Sequence, residues 1–141
     1  MLQKLVVAVV GLACFVIAST ALAETVVAKV SIATQTMSVY TNGALAHTWS
    51  VSTGKRGYKT PSGSYTPYWL DKNHRSRAYN NAPMPYSVFF LNGYAVHGTT
   101  AVKNLGKPAS HGCVRLLTAN ARTLYELVER HGKKNVRIVI E

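Results

Sequence analysis

The chain is short of cysteine and short of acid. Cys14 and Cys113 are the only cysteines in 141 residues. That is too few for a disulfide framework, and too few for the paired cysteines of a typical structural zinc site. Five Asp and Glu stand against 16 Lys and Arg. The balance excludes an acidic surface and favours anionic partners such as nucleic acid, anionic lipid or cell-wall polymer. No internal repeat and no Pro/Gly/Ser-rich linker divides the chain. Its length suits one domain rather than two.

The first residues do not read as folded structure. Met1-Leu2-Gln3-Lys4 carries one positive charge, residues 5–17 are almost wholly apolar, and Ala21-Leu22-Ala23 has the small-x-small form of a cleavage site. This is the pattern of a secretory signal peptide, with cleavage expected after Ala23. The competing reading is a retained anchor, but the apolar run is shorter than the roughly 20 residues of a bilayer span. A lipoprotein reading through Cys14 fails, because Gly11-Leu12-Ala13-Cys14 lacks the expected large aliphatic residue. Removal of residues 1–23 leaves a single domain over residues 24–141, which does not span a membrane. The net charge of +11 falls to +10 when Lys4 leaves. It also leaves Cys113 as the only thiol of an exported chain, a liability unless that thiol is buried or used. Export counts against nucleic acid as the working partner.

Strand signals dominate the chain after Ala23. Residues 26–33 and 36–40 are rich in β-branched residues, Asn42-Gly43 is a two-residue hairpin signal, and residues 45–51 return. Residues 52–57 read as a loop. It lacks the Gly-Lys-Ser/Thr ending of a phosphate loop. Residues 64–69 alternate aromatic and polar side chains as a strand does. Residues 70–86 are polar, basic and full of turn formers, and read as a long surface loop that could line a cleft. Residues 87–91 and 94–97 form strands around an Asn92-Gly93 turn, and residues 99–109 form a loop. Thr118 is the expected N-cap of a helix with Leu117, Ala121, Leu124, Tyr125 and Val128 on its apolar face. Gly132 ends it. Residues 136–140 form a last strand. The expected fold is mainly β, a β-rich sandwich or open barrel of mixed strands, with one main α-helix near the C-terminus.

The chemistry concentrates in Ser110-His111-Gly112-Cys113-Val114-Arg115, with a second histidine upstream in Val96-His97-Gly98-Thr99. A thiolate is a strong nucleophile, and imidazole is its usual activator. Gly112 lets backbone approach a substrate closely, and the N–H groups around Gly112 and Cys113 can face a developing oxyanion. Either histidine can serve as the base. His111 shares a face with Cys113 in extended chain, whereas His97 approaches from another strand. Spacing does not choose between them. His47, His74 and His131 read as surface or helix-end residues. Trp49, Trp69, Phe89 and Phe90 read as core or cleft wall, and Tyr86 and Tyr94 as packing.

Ser110-His111-Gly112-Cys113 with Val96-His97-Gly98-Thr99 resembles the signature of the L,D-transpeptidase catalytic domain, the YkuD family. Thr53-Gly54-Lys55 followed by Thr60-Pro61-Ser62-Gly63 resembles that family's upstream motif. The resemblance implies the family's fold and a cell-wall enzyme acting on peptidoglycan stem tetrapeptides. It implies that Cys113 is the nucleophile, with release of D-alanine, and that His97 is the acid/base, oriented by the Gly98 carbonyl. Ser110, His111 and Gly112 then shape the loop and the oxyanion hole. The family's commonest motif has asparagine where this chain has Arg115, whose fork suits a substrate carboxylate. The acyl acceptor is an amine on another stem, an acceptor protein or a free D-amino acid. No cofactor, metal or nucleic acid is implied. Two alternatives remain. One is an L,D-carboxypeptidase with water as acceptor. The other is a non-catalytic zinc or wall-binding module using His97, His111 and Cys113.

Overall fold

The computed structural model describes residues 25–141, together with residues 8, 11 and 13–17. Most of the expected leader therefore lies outside the described residues. The domain is built on β1 (Val26–Ser31), β2 (Thr36–Thr41), β3 (Ala44–Ser52), β4 (Gly63–Tyr65), β5 (Trp69–Ser76), β6 (Ala82–Leu91), β7 (Tyr94–Thr99), β8 (Val114–Leu117) and β9 (Val136–Ile140), with one α-helix, α1 (Thr118–His131). The strands form one curled nine-stranded sheet in the order β4-β9-β1-β2-β3-β8-β7-β6-β5. It is mixed: β1 pairs with β9 and β7 with β8 in parallel, and the other ladders are antiparallel. The expected class, mainly β with a helix near the C-terminus, is the one observed.

Alternation builds the core. Val26, Ala28 and Val30 of β1, Met37 and Val39 of β2, and Val136, Ile138 and Ile140 of β9 are buried. Their neighbours along each strand are more exposed, as period-2 strands with one packed face require. Helix α1 buries Ala121, Leu124, Tyr125, Leu127 and Val128 and packs on β6, β7 and β8. The Asn42-Gly43 and Asn92-Gly93 pairs turn their hairpins with positive φ at both residues. That is the mirror-image turn that matches strand twist.

Three expectations need correction. Residues 70–86 are not a loop. They form most of an antiparallel hairpin, from Trp69↔Phe89 to Ser76↔Ala82, turning through residues 77–81 with Asn80 and Asn81 at positive φ. The hairpin hides its strands because β5 is the sheet edge, so Asp71-Lys72-Asn73 needs no apolar alternation. Pro83 and Pro85 look like breakers. However, β7 pairs with β6 only from Val88 onward, and proline is tolerated where a strand has an open side. The strand expected over residues 64–69 stops at Tyr65 and resumes at Trp69, with Pro67 unable to donate to a ladder in between. Finally, Leu117 rather than Thr118 is the N-cap, with no side-chain cap. Thr118 Oγ1 instead reaches the Thr99 carbonyl at 3.3 Å, and Leu117 is exposed.

Candidate active site

Parallel pairing of β7 with β8 assembles the site. Val96 faces Val114, His97 faces Arg115 and Gly98 faces Leu116. Val96, Val114 and Leu116 point into the core. Period 2 therefore puts Ala95, His97, Cys113 and Arg115 on the opposite face. That face is the floor of an open cavity of about 740 Å³, whose walls include the β5–β6 hairpin, Tyr94, Ser110 and His111. Cys113 precedes β8, and its Sγ receives the Ala95 N–H at 3.4 Å. Met84, Phe89 and Ala95 form a small apolar cluster against it.

Cys113 and His97 both rest uncharged near neutral pH. Burial pushes the Cys113 thiol up, and the Ala95 N–H and Arg115 pull only part of the way back. Burial takes His97 down to about 4, against the raising effect of its bond to Gly98; Arg115 and His74 lower it further. His97 Nδ1 lies 2.8 Å from the Gly98 carbonyl. A carbonyl only accepts, so Nδ1 carries the proton and Nε2 keeps its lone pair. No Cβ fits at Gly98, where Thr118 Cα and Pro85 Cγ would stand at 3.0 and 3.1 Å.

The loop before Cys113 is over-determined. Ser110 Oγ donates to the Cys113 carbonyl at 2.5 Å and accepts the Gly112 N–H at 3.0 Å. Of the two amides nominated from sequence for an oxyanion hole, Gly112's is thus taken. Gly112 has φ +122, and a Cβ there would stand 2.5 Å from Tyr94 Cε1, so only glycine suits it. His111 contacts two tyrosines. Tyr79 stacks on it at 4.2 Å and 8°, and Tyr58 meets it edge-on at 4.8 Å. Arg115 stands on the cavity face beside His97. Among the described residues, no group of three or more His, Cys, Asp or Glu side chains could hold a metal ion.

Several site residues carry no sequence signal of their role. Thr60 Oγ1 donates to the Gly112 carbonyl at 2.8 Å and accepts the Gly54 N–H at 3.0 Å. Thr53 O accepts the N–H groups of Ala109 and Ser110, and the Lys55 N–H donates to Ser110 O at 2.9 Å. Buried Gln35 in turn holds Thr53. Its Nε2 donates to Thr53 Oγ1 and Ile32 O, and its Oε1 accepts the Thr53 N–H. The upstream motif is therefore the splint of the cysteine loop. Nothing in the sequence marked Gln35. His74, expected on the surface, lines the cavity, as do Trp69, Phe89 and Tyr94.

A curled mixed sheet that carries a cysteine and a buried, backbone-oriented histidine on one cavity floor defines a class, the L,D-transpeptidase catalytic fold. The chain belongs to the YkuD family, L,D-transpeptidase catalytic domain, whose model matches residues 25–140. The chain is 26% identical over 103 residues to YkuD of Bacillus subtilis (strain 168), covering 70% of this chain and 58% of that protein. An L,D-transpeptidase from Mycobacterium tuberculosis H37Rv superposes with TM-score 0.75 at 25% identity, over 84% of this chain and 58% of that one. One from Stackebrandtia nassauensis gives 0.72 at 26%, over 91% and 60%. A third, LdtMt1, was solved in complex with imipenem and shares the fold at 23% identity and TM-score 0.75, over 84% and 59%. This chain thus spans about six tenths of the length of these relatives.

Proposed function

We propose that the protein is an exported cysteine acyltransferase acting on peptidoglycan stem tetrapeptides, an L,D-transpeptidase of cell-wall cross-linking or remodelling. The observation that carries this reading is the shared floor of Cys113 and His97, with Nε2 of His97 unprotonated and Sγ held by the Ala95 amide. His97 takes the thiol proton as Sγ attacks the carbonyl of the third stem residue. The Cys113 N–H is the oxyanion donor left on the loop, since that of Gly112 serves Ser110. Collapse expels D-alanine, which leaves with the proton from His97, and a thioester remains on Cys113. An amine on a second stem, on an acceptor protein or on a D-amino acid then takes the acyl group. Arg115, beside His97 on the cavity face, is the anchor for a stem carboxylate.

Residues 1–23 are the export leader on this reading. Phe15, Val16 and Ile17 support it, because each is nearly nine-tenths exposed or more. A folded domain in water gains nothing from such a run.

Incubation with a tetrapeptide muropeptide and mass spectrometry tests the proposal. A thioester-linked adduct on Cys113 and cross-linked dimers are expected, both lost in Cys113→Ala. In His97→Ala the rate should fall about 10²–10⁴-fold, the usual contribution of a general base. Free tripeptide without dimers would make the enzyme an L,D-carboxypeptidase instead. Product from Cys113→Ala would sink the nucleophile assignment. Imipenem, found bound to a protein of this fold, should also acylate Cys113.

A further inference from the structure

The cavity contains a third histidine that acylation does not employ. His74 on β5 lines the same space as Cys113 and His97. Its Nδ1 lies 2.9 Å from Asp71 Oδ2. Its ring packs edge-on against Phe89 at 4.9 Å and Trp69 at 5.4 Å. A carboxylate only accepts, so Nδ1 carries a proton toward Asp71 and Nε2 is the nitrogen left to exchange one with the cavity. The side chain is only 23% exposed. The two rings, His74 and His97, are close enough to interact electrostatically across the cavity. Two imidazoles, each oriented through Nδ1, thus reach one cavity from different strands, His97 from β7 and His74 from β5.

Acyl transfer to an amine poses two separate proton problems. The first is the thiol proton, which His97 takes. The second is the acceptor. An alkyl amine resembles lysine, with a pKa near ~10.4, and arrives as an ammonium ion with no lone pair to attack with. His97 comes out of the first half-reaction free of its proton, but it serves the sulfur side of the thioester.

We propose that the His74–Asp71 pair is the acid/base of the acceptor half-reaction, accepting a proton from the incoming ammonium so that the free amine attacks the thioester on Cys113. This rests on the acyl-transfer reading above. Atoms and electrons balance in the step. The ammonium N–H bond breaks and its proton goes to His74 Nε2. The amine lone pair forms a C–N bond to the thioester carbon. The C–S bond breaks with its electron pair on sulfur. The second amine proton passes to His97 and on to Sγ, restoring the thiol, while His74 returns its proton to water through the open side of the cavity. Asp71 offsets the positive charge while His74 holds it.

The competing role is a brace for the hairpin, since Asp71 also accepts the Asn73 N–H at 3.1 Å. Acceptor chemistry separates the two. Wild type, His74→Gln and Asp71→Asn are given a tetrapeptide donor with either a stem-peptide amine or hydroxylamine, which is already unprotonated at neutral pH. Mass spectrometry reads the Cys113 adduct, the amine-transfer product and the hydrolysed tripeptide. In His74→Gln the ratio of transfer to hydrolysis should fall about 100-fold with the stem amine, the scale of one lost general base. It should return close to the wild-type ratio with hydroxylamine. Asp71→Asn, which keeps the shape of the hairpin, should shift the ratio in the same direction by less. An unchanged ratio, or the same loss with both acceptors, overturns the role of His74. Failure of the wild-type protein to form any Cys113 adduct overturns the acyl-transfer reading itself, and this proposal with it.

Discussion

Burial sets the resting charge of Cys113 and His97. A cysteine beside a cationic partner commonly rests as a thiolate. Here desolvation raises Cys113 and lowers His97 to about 4, so thiol and imidazole both rest neutral. On the proposed mechanism the proton therefore moves during attack rather than before it. The consequence for pH has a definite sign. On that mechanism His97 works only unprotonated, so activity appears as pH rises through its pKa. The acid limb of Cys113 acylation should fall near pH 4, and an acid limb near 6.5, the ordinary imidazole value, would show His97 to be solvated in the working enzyme. A pH–rate profile of adduct formation measures it. At this scale the sequence was partly legible. The Cys113 and His97 motifs stand out by composition and order. His74 does not, because Phe89 and the cavity it lines are brought to it only through hairpin pairing.

The elements divide into those that carry the site and those that hold it. Strands β7 and β8 carry it, and loop 53–60 splints residues 109–112 through Thr53, Lys55 and Thr60. Gln35 supports this splint from beneath at 4% exposure. Replacing it by alanine leaves the Thr53 amide and hydroxyl without their partner in a dry interior. Each orphaned group costs about 1–3 kcal/mol. Gln35→Ala should therefore lose roughly 2 kcal/mol or more of stability in urea unfolding and slow Cys113 acylation as well. Full stability in the variant would show that the loop is held by Thr60 and Ser110 alone. Asn-Gly turns and β-branched runs made β1, β2, β3 and β7 legible. The β5–β6 hairpin was not legible. An edge strand with one side open to solvent needs no apolar alternation, and prolines on its open-sided partner imitate a loop.

For the molecule as a whole, charge is concentrated as well as abundant. Lys55, Arg56 and Lys59 on one loop and Lys103 and Lys107 on the next are all exposed. Backbone bonds from Gly106 N–H to Val51 O and from Ala109 N–H to Thr53 O hold these loops together. Neither loop contains an Asp or Glu. Such a surface attracts a polyanion until salt screens it, with a Debye length of about 10 Å at 0.1 M. Pull-down on isolated peptidoglycan should weaken steadily as salt rises from about 0.05 to 0.5 M. Salt-independent retention would assign wall binding to uncharged contacts.

Some properties come from sequence alone, because they depend on composition and local order. These are a basic chain poor in cysteine, a mainly β domain with a helix near its C-terminus, and a Ser-His-Gly-Cys stretch with a His-Gly partner upstream. Tertiary structure decided what depends on residues distant in the chain. The parallel register Val96↔Val114 placed His97 and Cys113 on one floor. Burial there made both neutral, and desolvation is a property of the surroundings rather than of a side chain. Hairpin pairing likewise turned a polar stretch into a cavity wall bearing His74.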